Sequence, residues 1–285
     1  MIGQERLKLY LKEQVENGTF PRFSIIVGTK GSGKKEIVKY IASLIPEITL
    51  YQSGNTVSEV RQVIIESYKS CVPVLYQFAD VDGMSNEAKN ALLKVTEEPP
   101  KKAYFIMTLE DTGNMLETIK SRATMYFMDR YTKENILQYA QECNIAGSTD
   151  IITSLCTNMG EVMSLSVIGV DEFYKYVAKV IDNIALVSTA NALKIAETIA
   201  FTDEDKGYDL VLFWRAVERV YMNMMLKCED TQYQNIIAQC IALTQQGLVS
   251  CRIKGINKKM LFDKWILDVR EVEDGYNYSE TTNPD

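Results

Sequence analysis

The residues best placed to do chemistry fall in two short stretches. The first is Gly28-Thr-Lys-Gly-Ser-Gly-Lys34-Lys35, which matches the pattern G-x-x-x-x-G-K-[ST] at every position except the last. Glycines at these places let backbone amides turn inward around phosphate oxygens, helped by the amino end of the following helix. Gly28, Thr29, Lys30, Gly31, Ser32, Gly33, Lys34 and Lys35 are therefore the candidate nucleotide-binding residues, with Lys34 reaching for the terminal phosphates. A plain Gly/Lys turn before a helix is the bland alternative, and the position between an apolar strand and a helix favours the phosphate reading. The final Ser or Thr of the pattern supplies a hydroxyl to Mg²⁺, and here it is Lys35. An ammonium cannot ligate a cation. Lys35 either turns into solvent or discourages the metal, and both outcomes weaken hydrolysis.

The second stretch is Val72-Pro-Val-Leu-Tyr-Gln-Phe-Ala-Asp80-Val81, an apolar strand ending in a carboxylate. That is the shape of a strand whose Asp supports Mg²⁺ beside a phosphate loop. On its own, Asp80 could merely end a strand and open a turn; the phosphate loop upstream favours the functional reading.

The elements that must position these residues alternate through the first half. Helices are expected at 6–16, 34–44, 56–70 and 86–97, and strands at 23–27, 48–51, 72–78, 103–108 and 124–128. The helix at 56–70 carries Val57, Val60, Ile64 and Tyr68 at helical spacing. Apolar strands alternating with helices imply a parallel sheet covered on both faces, with ligands at the carboxyl ends of its strands. After Arg130 strand signals vanish. The remainder reads as helices at 132–143, 150–158, 160–168, 171–186, 189–201, 208–226, 233–247 and 258–269. An acidic, polar stretch follows at 271–285 and is expected to be disordered.

Bulk properties narrow the class. The chain has 285 residues, 46% hydrophobic and 24% charged, which suits a globular protein of two domains and perhaps a small third. No apolar run approaches membrane-spanning length and no targeting segment opens the chain, so a cytoplasmic location is expected. There is no histidine, and none of the six cysteines forms a C-x-x-C pair, so neither a zinc site nor any other protein-held metal is expected. The cysteines read as reduced and mostly buried. The net charge of −7 excludes a free-standing, strongly basic duplex binder. Contact with DNA is expected only through a local patch or as part of a larger assembly.

Family resemblance becomes specific at Asn90-Ala-Leu-Leu-Lys-Val-Thr-Glu-Glu-Pro-Pro100. This string resembles the N-A-L-L-K-x-x-E-E-P-P signature of AAA+ clamp-loader subunits of bacterial DNA polymerase III and of their replication factor C relatives. Ser121-Arg122-Ala123 resembles the S-R-C motif of the same family, with Ala in place of Cys. Ile2-Gly-Gln-Glu5 is similar to the family's V-G-Q-E opening segment, and Val60-Arg61 to its I-R pair. The resemblance covers roughly residues 1–170, and the helical remainder fits by length and class alone.

The resemblance implies an α/β P-loop AAA+ domain over 1–129, a small helical lid over 130–169 and an all-α collar over 170–270 that serves oligomerisation. It implies ATP or ADP as ligand, and other loader subunits, the sliding clamp and primer-template DNA as partners, with no membrane. It implies that Arg122 acts as an arginine finger on a neighbour's γ-phosphate, which is what a guanidinium does for charge developing there. It makes Arg61 a candidate contact to DNA phosphates, an ordinary solvated residue being the equal alternative.

Four departures separate the chain from a hydrolysing member. Lys35 replaces the magnesium-binding hydroxyl, and Val81 stands where AAA+ ATPases carry a water-orienting Glu. Thr108-Leu-Glu-Asp111 lacks the usual A-T-T/N sensor pattern, and Met163 falls where a sensor Arg is expected. Asp82 lies one residue past Val81 and is expected to point elsewhere. A missing general base alone costs a factor of about 10²–10⁴ in rate. The expectation is a subunit of delta-prime type, with weak or magnesium-independent nucleotide binding and no hydrolysis on its own. The family's four-cysteine zinc module is missing from the short 44–70 interval. The competing readings are an active AAA+ ATPase, either a gamma/tau-like motor or a recombination helicase, and a P-loop regulatory module outside any loader. Phe213, Trp214 and Val217 are expected in the core of the helical part, with assembly between subunits as their other possible use.

Overall fold

The computed structural model describes residues 2–195, 210–251, 253 and 255–281. The chain divides into two compact units, Met1–Asn135 with Asn158–Gly160, and Ile136–Thr157 with Glu161–Asp285.

The first unit is built on five parallel strands in the order β2-β3-β4-β1-β5. They are β1 (Phe23–Val27), β2 (Thr49–Ser53), β3 (Val74–Phe78), β4 (Ala103–Leu109) and β5 (Thr124–Phe127). The helices are α1 (Glu5–Glu16), α2 (Lys34–Leu44), α3 (Val57–Lys69), α4 (Asn86–Glu97) and the single turn α5 (Glu117–Lys120). A near-continuous apolar strand is stable only if both its faces are covered, and successive residues of β1 point to opposite faces. Phe23, Ile25 and Val27 pack with Val60, Val63, Ala88, Leu92 and Val95 of α3 and α4. Ile26 packs with Leu7, Leu11, Ile37, Val38 and Ile41 of α1 and α2. The sheet is thus covered on both faces, as the strand–helix alternation requires. With β1 set between β4 and β5, the Gly-rich loop opens at the carboxyl edge of the sheet beside the ends of those strands.

Local chemistry sets the helix boundaries. Thr56 and Glu59 form a reciprocal capping box at the start of α3. Ser85 caps α4 by accepting from the Ala88 amide. The buried stripe of α3 is Val60, Val63 and Ser67. Tyr68, which helical spacing places on the buried face, is exposed and donates its hydroxyl to the Glu98 carbonyl at 3.1 Å.

The later elements are helical: α6 (Lys133–Glu142), α7 (Thr149–Leu155), α8 (Met159–Ile168), α9 (Val170–Leu186), α10 (Leu210–Lys227), α11 (Thr231–Ser250) and α12 (Lys258–Thr281). In the second unit, Phe213, Trp214 and Val217 are core residues, each 2% exposed or less. Trp214 stacks on Phe262 at 4.9 Å and meets Trp265 edge-on at 5.1 Å. Gly247 lets α11 approach this cluster, since a Cβ there would lie 2.6 Å from the Trp214 ring.

Two expectations need correction. The stretch from 271 was expected to be disordered, but α12 continues unbroken to Thr281. Glu271, Val272, Glu273 and Asp274 extend a helix already anchored by Phe262, Trp265, Ile266 and Val269, and tertiary anchoring of this kind outweighs the polar composition. The cysteines are not mostly buried: Cys156 and Cys240 are, Cys228 and Cys251 are half-buried, and Cys71 and Cys143 are exposed. The expected helix at 189–201 is described as helical over 189–195, its remainder lying outside the described residues, as do positions 208–209 and 282–285. Among the described residues, no helix is long and apolar enough to cross a membrane.

Candidate functional site

The loop between β1 and α2 owes its shape to two glycines with left-handed backbone, Gly31 at φ +79° and Gly33 at φ +88°. Only glycine adopts that region without a steric penalty. Gly31 is confined as well, for a Cβ there would lie 2.4 Å from Asn158 Oδ1. Its carbonyl accepts the Gly160 amide at 3.0 Å. The Ser32 carbonyl accepts the Tyr131 hydroxyl at 2.7 Å. Gln4 holds the 128–131 segment from the other side: its Nε2 donates to the Asp129 carbonyl at 2.7 Å, and its Oε1 accepts the Asp129 amide at 2.8 Å.

Gly33 caps α2 without a side-chain acceptor, so the first-turn amides of α2 remain open, as a phosphate site requires. Lys34 is 5% exposed, and its ammonium donates to the Gly28 carbonyl at 2.7 Å and the Thr29 carbonyl at 3.1 Å. Burial holds its pKa below the usual lysine value, while the charges of Glu110, Asp80 and Asp82 oppose that shift. Thr29, Lys30 and Lys35 are exposed, and Ser32 is buried.

Asp80 follows β3 with φ +53°, and its amide donates to Thr108 Oγ1 at 3.0 Å. Its carboxylate Oδ2 stands 3.4 Å from Lys35 Nζ. Lys35 is exposed, and its ammonium stands beside the carboxylate that would carry a cation. Val81 opens a single 3₁₀ turn, Val81–Gly83, and is fully buried in the core, so no water-orienting carboxylate occupies that position. Asp82 points elsewhere, accepting the amides of Glu110 and Asp111. It thereby fixes the end of the Thr108–Asp111 stretch. These residues fit the phosphates of a nucleotide but not a resident Mg²⁺, because the hydroxyl ligand is absent and Asp80 faces an ammonium. Among the described residues, no group of three or more His, Cys, Asp or Glu side chains could hold a metal ion.

Arg122 lies between α5 and β5, and its own backbone closes the α5 turn by donating to the Ile119 carbonyl. Its guanidinium donates to the Thr118 carbonyl at 2.8 Å and stands 3.0 Å from Glu97 Oε1. Its side chain is 38% exposed, within reach of another molecule. Arg61 is exposed on α3. In the second unit Met163 is exposed, while Glu161 is buried and paired with Arg215 at 2.7 Å. Glu161 also accepts the amide and hydroxyl of Thr157. Sequence reasoning missed Tyr131, Asn158 and Gly160, whose bonds and contacts to the loop run between segments distant in sequence. Gln4 had a signal in the Ile2-Gly-Gln-Glu5 motif, though not its partner.

Comparison with known proteins finds similarity to subunits of DNA polymerase III. Residues 46–131 match the family model described as DNA polymerase III, delta subunit. The subunit gamma of DNA polymerase III from Buchnera aphidicola subsp. Schizaphis graminum is 28% identical over 170 residues, covering 49% of this chain and 47% of that protein. The delta' subunit from Buchnera aphidicola subsp. Baizongia pistaciae is 20% identical over 241 residues, covering 78% and 71%. The chain spans about half the length of the gamma-subunit relatives it matches. Among solved structures, a variant of RuvB from Thermotoga maritima superposes with a TM-score of 0.50 at 14% identity, covering 99% of this chain and 96% of that one. That likeness bears on the fold alone.

Proposed function

We propose that the chain is a delta-prime-type subunit of the AAA+ clamp-loader family that does not hydrolyse ATP itself and donates Arg122 to a neighbour's ATP site. The observation that carries this reading is the contrast between two places in one unit. The chain's own loop has lost a metal ligand at Lys35 and a water-orienting carboxylate at Val81. Arg122 retains an accessible guanidinium, held by Glu97 and the Thr118 carbonyl but not buried. A guanidinium placed at a neighbour's γ-phosphate stabilises the charge that develops in transfer and needs no metal of its own.

In this reading the P-loop binds ATP or ADP through Gly28–Lys35, and Asp80 belongs to the same site. The assembly places a sliding clamp on primer-template DNA in the cytoplasm. Arg61 is a contact to DNA phosphates, one phosphate-directed Arg within a chain of net charge −7. The helices over 130–169 act as a lid and those over 170–270 as a collar against other subunits. The similarity to gamma subunits favours a second reading, an active motor; Lys35 and Val81 stand against it.

Co-purification tests the reading at its root. The chain is expected to assemble with the other loader subunits of its source and to turn over no ATP alone. Failure to assemble with any loader subunit contradicts the proposal. Turnover by the isolated chain that is lost in Lys34→Ala establishes the motor reading instead.

A further inference from the structure

In phosphate-loop sites that use Mg²⁺, the cation is held by the residue after the loop lysine and by the carboxylate that ends a neighbouring strand, and the residues here depart from that pattern. We propose that Lys35 is a built-in counter-ion at that position, so that the loop takes a nucleoside di- or triphosphate without a divalent cation. The proposal rests on reading Gly28–Lys35 as a phosphate site.

The geometry supplies the connection a cation would make. Mg²⁺ in such sites links the residue after the loop lysine to the Asp ending the strand. Here the Lys35 ammonium itself stands 3.4 Å from Asp80 Oδ2. The Lys35 side chain is 57% exposed, so it can stay beside Asp80 and still meet a phosphate oxygen arriving from solvent. Its charge offsets the carboxylate that would otherwise repel a polyphosphate. That offset matters because Asp80, Asp82 and Glu110 all lie close enough to act on Lys34. Without either Mg²⁺ or Lys35, phosphates would meet three carboxylates and a single buried lysine.

A second observation points to a ligand at the loop. Ser32 is 4% exposed, and its hydroxyl has no hydrogen-bond partner. It sits inside the curve of the loop, 2.7 Å from where a Cβ on Gly28 would be. A buried hydroxyl left unmatched is destabilising, so a ligand atom that pairs with it is favoured. A phosphate oxygen in the loop would accept from it, alongside the open first-turn amides of α2.

The test is calorimetric titration of the full chain with ATP, once with excess Mg²⁺ and once with EDTA. The wild-type chain is expected to bind with the same affinity, within about twofold, under both conditions, and Lys34→Ala to lose that binding. Lys35→Ser removes the ammonium and restores the hydroxyl, and is expected to bind at least about fivefold more tightly with Mg²⁺ than with EDTA. Wild-type binding that requires Mg²⁺ overturns the proposal, as does no wild-type binding under either condition. Lys35→Ser that stays indifferent to Mg²⁺ also overturns it. The titration involves no partner subunit, so any of these failures leaves the role of Arg122 standing.

Discussion

Arg122 Nη2 and Glu97 Oε1 stand 3.0 Å apart, with both side chains well exposed. The two come from motifs separated in sequence, the last turn of α4 and the turn after α5. Water screens the pair, so it adds at most about 1 kcal/mol to stability. It is weak enough to open when a phosphate-bearing partner arrives. Arg122→Ala and Glu97→Gln are therefore each expected to unfold in urea within about 1 kcal/mol of the wild-type chain. A larger loss in either variant would make the pair structural and undercut its reading as a parked finger.

The loop is clamped by a backbone contact that tolerates no side chain. A Cβ on Gly160 would lie 2.6 Å from the Gly31 Cα, and the Gly160 amide donates to the Gly31 carbonyl. Backbone cannot yield as a flexible side chain can. Gly160→Ala is expected to lower stability by about 1–3 kcal/mol, as overpacking does, and to weaken ATP binding, because Gly31 must shift. Urea denaturation and the titration described above check both, and unchanged values in the two would remove Gly160 from the site.

The helical unit holds a titrating group. Burial pushes Glu273 up to about 7 from 4.5; Asp274 adds to the shift and Arg270 opposes it. Its charge in turn acts on Tyr221, Tyr233 and Cys240, and its Oε2 has no hydrogen-bond partner. Between those two pH values the folded chain holds a proton that the unfolded chain has released. Its stability therefore falls as pH rises through that window and levels off above about pH 7. Glu273→Gln cannot ionise and is expected to flatten this slope, matching the wild type near about pH 4.5 and exceeding it above about pH 7. Melting temperatures across the range test this. Identical slopes in the two proteins would contradict it.

Much of the first unit was legible because each signal was local. The Gly-rich loop fell between a strand and a helix, Asp80 after a strand, and Arg122 before one. Strand–helix alternation was enough to indicate a parallel sheet with both faces covered. What the sequence hid was long-range pairing. Nothing in composition links Gly31 to Gly160 or Ser32 to Tyr131, or shows that the Lys35 ammonium stands beside Asp80. Tyr68 was misplaced because period alone cannot say how far a buried stripe extends. The 271–281 stretch was misread because its composition is polar while its helix is anchored by Trp265 and Val269 further up.

The central claim is that this chain's contribution to ATP hydrolysis is made in another subunit's site. Its most direct test is the steady-state ATPase rate of a reconstituted loader containing a hydrolysing partner subunit. The wild-type chain is expected to raise the partner's rate, and Arg122→Ala to abolish that rise while still assembling; a finger supplied in trans is worth about 10³–10⁵ in turnover where it is fully engaged. Lys34→Ala, which disables only this chain's own loop, is expected to leave the stimulated rate intact. Full stimulation by Arg122→Ala, or loss of it in Lys34→Ala alone, would contradict the account.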